Sequence, residues 1–465
     1  MSQYLNYFYD ICKIPHGSHN EKAISEYLIN FAKKHQLKYK TDDVYNVIIY
    51  KDGTSKSDKV LALQAHIDMV DEKTPESNHD FNLDAIDVYE EDGYLKAKGT
   101  TLGADNGAGV AMILAVLADK SLKHPPLEAI FTTQEETTME GAFKLKEEDI
   151  NARRLINLDS EQEGISTTTS AGGIDVVFNL DVNYQENTDC AYLLDIGSLL
   201  GGHSGADIAL ERGNALKLIG RIAREIEDVK ISSISGGLKI NAIPRDASLL
   251  FTTCLGEEEL EKRVSDSFNK IKTELLHSDP NLSYSLKKTN ATKVLNEESN
   301  RAILNLLNLI PNGLRHRDLS LDGLTTASEN VGIVNLDDSK FSLYISLRSC
   351  LQSYIDDMVS ELFTLAKVLN FEAQSLNWYP AWDYSDNSPL RDKMCEVFKQ
   401  VYGKEMILEG IHAGLECGIF KNKFPSMDII TFGPSIYDCH SPNERLDLAS
   451  LDRTYKFLIE LVQQL

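Results

Sequence analysis

Five short segments carry side chains that could share metal ions. His66 and Asp68 stand two apart, Asp105 lies in the glycine-rich stretch 99–109, Glu135 and Glu136 are adjacent, Asp159 ends an apolar run, and His440 sits in a Cys-His-Ser-Pro segment. Histidine nitrogen and carboxylate oxygen are zinc ligands, and a catalytic site leaves one position for water. Residues two apart on a strand point the same way, so Asp68 is placed to orient the His66 ring. A carboxylate has two oxygens, so Asp105 has the chemistry to bridge two cations. Of the paired glutamates, one suits a metal and the other suits general-base work on a water. Taken singly, each segment has a plainer reading. A lone H-x-D is most often structural, an acidic pair is common on surfaces, and a loop histidine is usually no ligand. The 99–109 stretch lacks the G-x-G-x-x-G spacing and the lysine of phosphate-binding loops, which leaves tight turning about Asp105 as its use. No G-x-S-x-G nucleophile elbow occurs.

These residues need elements that bring them together. Apolar runs at 47–50, 60–65, 129–133, 155–158 and 427–432 read as strands, and 21–37 and 110–119 as helices within a largely helical 1–40 and an alternating remainder. Such alternation marks an α/β layer architecture, and most of the candidate ligands follow strand ends, where open α/β sheets place their sites. The middle of the chain differs. A hairpin over 238–254 followed by a helix over 257–276 is matched by a hairpin over 329–350 and a helix over 354–369, with further helices near 206–227 and 298–309. This suggests an internal duplication. The expected layout is a catalytic α/β domain, with a mixed sheet flanked by helices, from 1–180 and 376–465, and an inserted α+β lid domain at 181–375.

The chain has 465 residues, with 71 acidic and 47 basic side chains and a formal net charge of −24. That balance argues against nucleic acid or an anionic membrane as partner. Seven scattered cysteines, none in C-x-x-C spacing, fit reduced thiols better than a disulfide framework. No signal-peptide pattern opens the sequence and no run approaches a membrane span, so a cytoplasmic protein is expected.

Together with Gly201-Gly202-His203-Ser204-Gly205, His412-Ala413-Gly414-Leu415-Glu416-Cys417-Gly418 and His440-Ser441-Pro442-Asn443-Glu444-Arg445, these segments make the whole chain resemble the M20 metallopeptidases. The similarity is to their aminoacyl-histidine (cytosolic non-specific) dipeptidase branch. The resemblance implies hydrolysis of dipeptides with a free amino terminus, Xaa-His and broader, by a hydroxide held on a metal pair. The cofactors would be two divalent ions, zinc first, with manganese or cobalt as alternatives. His66 and Asp159 would bind one ion, Glu136 and His440 the other, and Asp105 would bridge them. Glu135 would be the general base and Asp68 would orient His66. His203 would stabilise the oxyanion, Arg348 would grip the substrate carboxylate, and Asn241 and Gly414 would lie nearby. For His203 the plainer role is a helix start, and for Arg348 a surface position on an edge strand. Small peptides would be the partners, the protein being monomeric or a homodimer, and a duplicated lid would let His203 act within its own chain. An aminoacylase or tripeptidase of the same superfamily is the alternative, and a non-catalytic peptide binder the more distant one. Thr137-Thr138, Ser166 to Ser170, Glu211 and Cys439 depart from the expected pattern without removing a ligand, and leave the preferred dipeptide open.

Overall fold

The computed structural model of the chain describes residues 2–318 and 324–465. They form two compact units. The first comprises Met1–Thr169, Tyr384–Gly410 and Leu415–Leu465, and the second Ser170–Asp383 and Ile411–Gly414.

The first unit is built on a six-stranded sheet in the order Lys38–Thr41, Val47–Lys51, Leu127–Thr132, Leu61–His66, Arg154–Asn157, Asp428–Thr431. The last four are mutually parallel, and the first two add an antiparallel edge. Leu61–His66 and Leu127–Thr132 are buried along their whole lengths, which explains their unbroken apolar character. Helix Ala104–Ala118 is apolar on all sides for the same reason: nearly every residue in it is buried. It starts six residues before the expected position because the glycine-rich stretch itself enters the helix. Helices Gln3–Ile11, Lys22–His35, Pro389–Tyr402 and Leu448–Gln464 supply amphipathic faces to the same core, around Phe8, Leu28, Phe131 and Phe457. Between the first two of these, residues 12–21 are not helical. Parallel strands end on one edge, so the segments after His66, Thr132, Asn157 and Thr431 emerge side by side.

The second unit carries a nine-stranded antiparallel sheet. Its main path runs Ser283–Asn290, Cys190–Gly197, Ala247–Thr252, Lys230–Gly236, Thr325–Leu336, Lys340–Ser349, Gly172–Asp181, Glu372–Tyr379, and Gly313–Arg317 pairs with Thr325–Leu336 off that path. The strands Gly172–Asp181 and Glu372–Tyr379 straddle the expected limits near 180 and 375, and they pair with each other. Two β-α-β-β-α-β sets with the spatial strand order 4-1-3-2 make up the sheet. One set uses helices Ala215–Arg224 and Glu257–Glu274, the other Glu297–Leu309 and Gln352–Val368. The first set is inserted between the opening strand and opening helix of the second, and the two meet where Gly236 pairs with Val334. The first hairpin differs from expectation. Its opening arm is Lys230–Gly236, a serine-rich strand that buries Ile231 and Ile234, whereas 237–246 is a connection containing the short strand Ala242–Ile243.

Asn214 ties the two sets together. Its Oδ1 caps helix Ala215–Arg224 by accepting from Leu216 N and Lys217 N at 3.1 and 3.3 Å. Its Nδ2 donates to Val331 O at 2.8 Å in the other set, and the residue is buried. Asn214→Ala removes a cap and leaves a buried carbonyl unpaired. We expect a loss of roughly 2–4 kcal/mol in urea unfolding of the second unit, and a loss below about 1 kcal/mol would show that the cap does not hold the two sets together.

Candidate metal centre

The ligand candidates converge at the carboxyl edge of the parallel strands in the first unit. His66 is the last residue of its strand and is buried. Its Nδ1 lies 3.0 Å from the Asp68 carbonyl oxygen and 3.5 Å from Asp68 Oδ1. With Nδ1 turned to that carbonyl, Nε2 faces Asp105 Oδ1 at 3.1 Å and Asp159 Oδ1 at 3.3 Å, and it is the ring atom a cation would take. On the other side, His440 Nε2 lies 3.2 Å from Asp105 Oδ2 and 3.1 Å from Glu136 Oε2. Asp105 therefore turns one oxygen to each imidazole. His66, Asp105 and Asp159 form one group whose ligand atoms fit about a cation, and Asp105, Glu136 and His440 form another. Glu135 joins His66 and Glu136 in a third, and Asp105, Glu161 and Cys439 make a fourth.

The backbone that presents these groups is held by two carboxylates. Asp68, expected to orient His66 with its side chain, does so chiefly with its carbonyl. Its carboxylate accepts from Glu135 N at 3.1 Å, Glu136 N at 3.3 Å and Ser18 Oγ at 2.9 Å. It thereby fixes the turn that carries the glutamate pair, where Gln134 adopts φ +56. Glu444 was not singled out by type or spacing. Its Oε2 accepts from Leu102 N and Gly103 N at 2.7 and 3.1 Å, and its Oε1 from Ala104 N and Asp105 N at 2.8 and 3.4 Å. Gly103 takes φ +73 in this loop, where a Cβ would stand 2.8 Å from Met69 Sδ. Asn106 Nδ2 donates to Asp159 Oδ1 at 2.9 Å. Glu416, also unforeseen, is fully buried and accepts from Gln64 Nε2 at 2.6 Å and Thr132 Oγ1 at 2.8 Å; burial pushes its carboxyl up to about 8.

The electrostatics call for cations. Burial raises the carboxyls of Glu135, Glu136 and Asp159 above their ordinary values, and Asp159 adds to the shift of Glu135. Burial opposes ionisation of Asp105 as well, but hydrogen bonds from His440 and His66 outweigh it and hold that carboxyl well below the usual range. Hydrogen bonds to Asp105 and Glu136 push His440 up to about 11. Five acids packed against two imidazoles are costly to ionise together in a low-dielectric site. Glu136 Oε1 is buried with no hydrogen-bond partner among the described residues. A pair of divalent cations fits this donor set of imidazole nitrogen and carboxylate oxygen.

The remaining expected site residues gather within the second unit. His203 Nδ1 accepts from Gly205 N and Ala206 N at 3.2 and 3.1 Å, so the ring proton sits on Nε2. The ring does cap its own turn, as the plainer expectation had it, but that use occupies Nδ1 and leaves Nε2–H to donate elsewhere. Burial, then the charge of Arg348, lowers its pKa and keeps it neutral. Asn241 is exposed, and its carbonyl accepts from Ser204 N at 2.9 Å beside His203. Arg348 is buried on Lys340–Ser349 rather than on an edge strand, and its Nη1 donates to Tyr379 Oη at 2.5 Å. Gly414 lies against the Tyr379 ring. Glu211 adopts φ +51, a conformation that favours glycine.

Removing the Glu444 carboxylate tests the loop support without touching a ligand. Glu444→Ala should lower metal affinity about 10- to 100-fold, as loss of outer hydrogen bonding does at other metal sites. Metal content after equilibrium dialysis measures it; unchanged affinity would remove Glu444 from the support of Asp105.

Comparison with known proteins accords with this geometry. The chain is 37% identical over 470 aligned residues to the cytosol non-specific dipeptidase of Escherichia coli (strain K12), covering 98% of this chain and 96% of that protein. Among solved structures, the aminoacylhistidine dipeptidase from Vibrio alginolyticus superposes with a TM-score of 0.91 at 33% identity, covering 100% of this chain and 96% of that one. A tripeptidase from Staphylococcus aureus superposes with a TM-score of 0.57 at 17% identity, over 99% and 97% of the two chains, a likeness of fold alone. Among the described residues no helix is long and apolar enough to cross a membrane. Residues 62–464 match the profile of peptidase family M20/M25/M40, and the chain belongs to that family of metallopeptidases.

Proposed function

We propose that this protein is a metal-dependent dipeptidase that hydrolyses dipeptides with a free amino terminus, Xaa-His among them, and works in the cytoplasm. The observation that carries the reading is Asp105, whose two oxygens each meet a different imidazole at the carboxyl ends of the parallel strands. The names and extent of likeness of the Escherichia coli and Vibrio relatives support the substrate class and the compartment. His66 and Asp159 would hold one ion and Glu136 and His440 the other, with Asp105 available to both. Zinc is the first choice for such nitrogen and oxygen donors, with manganese or cobalt able to replace it.

The bound ions supply Lewis acidity to polarise the peptide carbonyl and to make water acidic. Glu135 takes the proton of the attacking water on its carboxylate. It then delivers that proton to the leaving amine nitrogen. Asp68 keeps Glu135 and Glu136 in register through their backbone N–H groups. His203, neutral with its proton on Nε2, donates to the developing oxyanion. Arg348 pairs with the substrate carboxylate in a planar, two-bond contact, with Asn241 and Gly414 at the substrate nearby. Such a clamp sets substrate length, which favours dipeptides over longer chains. The two β-α-β-β-α-β sets place in one chain what a pair of chains otherwise supplies, so His203 serves its own chain and a monomer suffices.

Metal-loaded protein should cleave β-Ala-His, Ala-His and Gly-Gly while leaving a tripeptide and an N-acetyl amino acid intact. Glu135→Gln should retain its metal and lose about 100- to 10,000-fold in kcat. Cleavage of the tripeptide or the acylated amino acid in place of the dipeptides would move the assignment to a tripeptidase or an aminoacylase. No cleavage at all by metal-loaded wild type would leave a peptide binder. Mixing His203→Ala with Glu135→Ala chains should restore no activity; recovered turnover would assign the histidine to a partner subunit.

A further inference from the structure

The second unit holds one buried histidine to which the proposed reaction assigns no role. His412 lies in Ile411–Gly414, the short return of the chain to that unit, and it is 8% exposed. Its Nε2 is 2.7 Å from Ser328 Oγ. Its Nδ1 is buried with no hydrogen-bond partner among the described residues, and so is Arg348 Nε. Burial, helped by the nearby charge of Arg348, pushes the imidazole down to about 3, so it is neutral and carries one N–H. A Ser328 hydroxyl that donates to Nε2 puts that proton on Nδ1. Tyr379 Oη already accepts from Arg348 Nη1, so its own proton is free for another acceptor. The acid whose charge reaches Arg348 and Tyr379 is Asp175, and its Oδ2 is engaged by Asn377 Nδ2 at 2.9 Å.

The chain is pressed tightly about these groups. A Cβ on Gly205 would stand 2.4 Å from His412 O, and one on Gly414 2.8 Å from the Tyr379 ring. Arg348 Nε and His412 Nδ1 are thus buried without partners in one corner of the second unit, and Tyr379 Oη, which accepts from Arg348 Nη1, has its own proton to give. Buried unpaired donors are costly, and a group of them at one place is the imprint of a missing acceptor with several lone pairs. A carboxylate is that acceptor.

We propose that His412 is a specificity-determining residue: its Nδ1–H, with Arg348 and Tyr379, completes the cradle for the free carboxylate of the substrate. This rests on the dipeptidase reading and deepens it, since an arginine alone holds any anion, whereas three donors fixed about it recognise the end of a peptide. The alternative is that His412 merely packs, with the Ser328 contact as its whole purpose.

Two substitutions separate these roles, because the amide nitrogen of asparagine overlays Nδ1 of histidine and that of glutamine overlays Nε2. The test is the kinetics of metal-loaded wild type, His412→Asn and His412→Gln on Ala-Ala and on Ala-Ala amide. His412→Asn should keep KM for Ala-Ala within about 3-fold of wild type, while His412→Gln raises it about 10-fold or more with kcat nearly unchanged. Neither should alter kcat/KM on the amide by more than about 3-fold, since the amide has no carboxylate to lose. The reverse order, with glutamine tolerated and asparagine not, would assign His412 to packing on Ser328 and overturn the proposal. Equal losses on acid and amide would overturn it too. A wild-type chain that leaves Ala-Ala intact would instead overturn the dipeptidase reading itself.

Discussion

Asp105 has to be a carboxylate, largely out of water, and nearly equidistant from two imidazoles, and the first unit is arranged about meeting that demand. An ionised acid out of water is costly unless its oxygens are paired, and here each oxygen is given its own histidine. The histidines come from opposite ends of the sequence, one ending a central strand and one in a loop near the C-terminus. The parallel strands, which end on one edge of the sheet, bring His66 together with Glu136 and Asp159, and the chain beyond Asp428–Thr431 adds His440. The loop leading into Asp105 is then fixed by Glu444, whose two oxygens are shared among four successive backbone N–H groups. Neither Glu444 nor Asp68 lies in a candidate ligand group, yet each holds backbone that carries one. This is why the buried acids of the unit outnumber those that a metal pair would take.

The second unit presents the opposite chemistry. Its cluster holds donors in place of acceptors: the Arg348 guanidinium, two neutral imidazoles and a phenol. His203 and His412 differ in how their protons are placed. Two backbone N–H groups occupy Nδ1 of His203 and force its proton to Nε2, whereas Ser328 engages Nε2 of His412 and leaves its Nδ1 to the buried side. Neutral rings with fixed tautomers are directional donors that need no proton from solvent.

Much of this was legible in the amino-acid sequence. Strands buried on both faces are continuously apolar, so 60–65 and 129–133 announce themselves, and histidine or acid at the end of such a run stands out against its cost. The rest depends on contacts that spacing does not encode. Glu444 reaches backbone groups about 340 positions away, and a carboxylate that serves backbone N–H has no local pattern. Lys230–Gly236 escaped notice because four of its seven residues are serine or glycine, and its two isoleucines reveal a strand only once their burial is known. Tyr379 and His412 gain meaning from which of their atoms lack partners, a property of packing. Glu211 is the converse case: the sequence shows an unusual residue, and the backbone shows that the conformation favouring glycine persists beneath it.

Specificity follows from these unpaired groups more than from attraction. A site built of buried donors rejects a ligand lacking the matching acceptor by leaving those donors unsatisfied, a penalty that exceeds the gain from any single good contact. An internal residue of a longer peptide offers a carbonyl and an N–H where a dipeptide offers a carboxylate. The same logic holds in the first unit with the sign reversed, where buried acids select cations and reject neutral occupants. Each unit is left electrically incomplete in its own way.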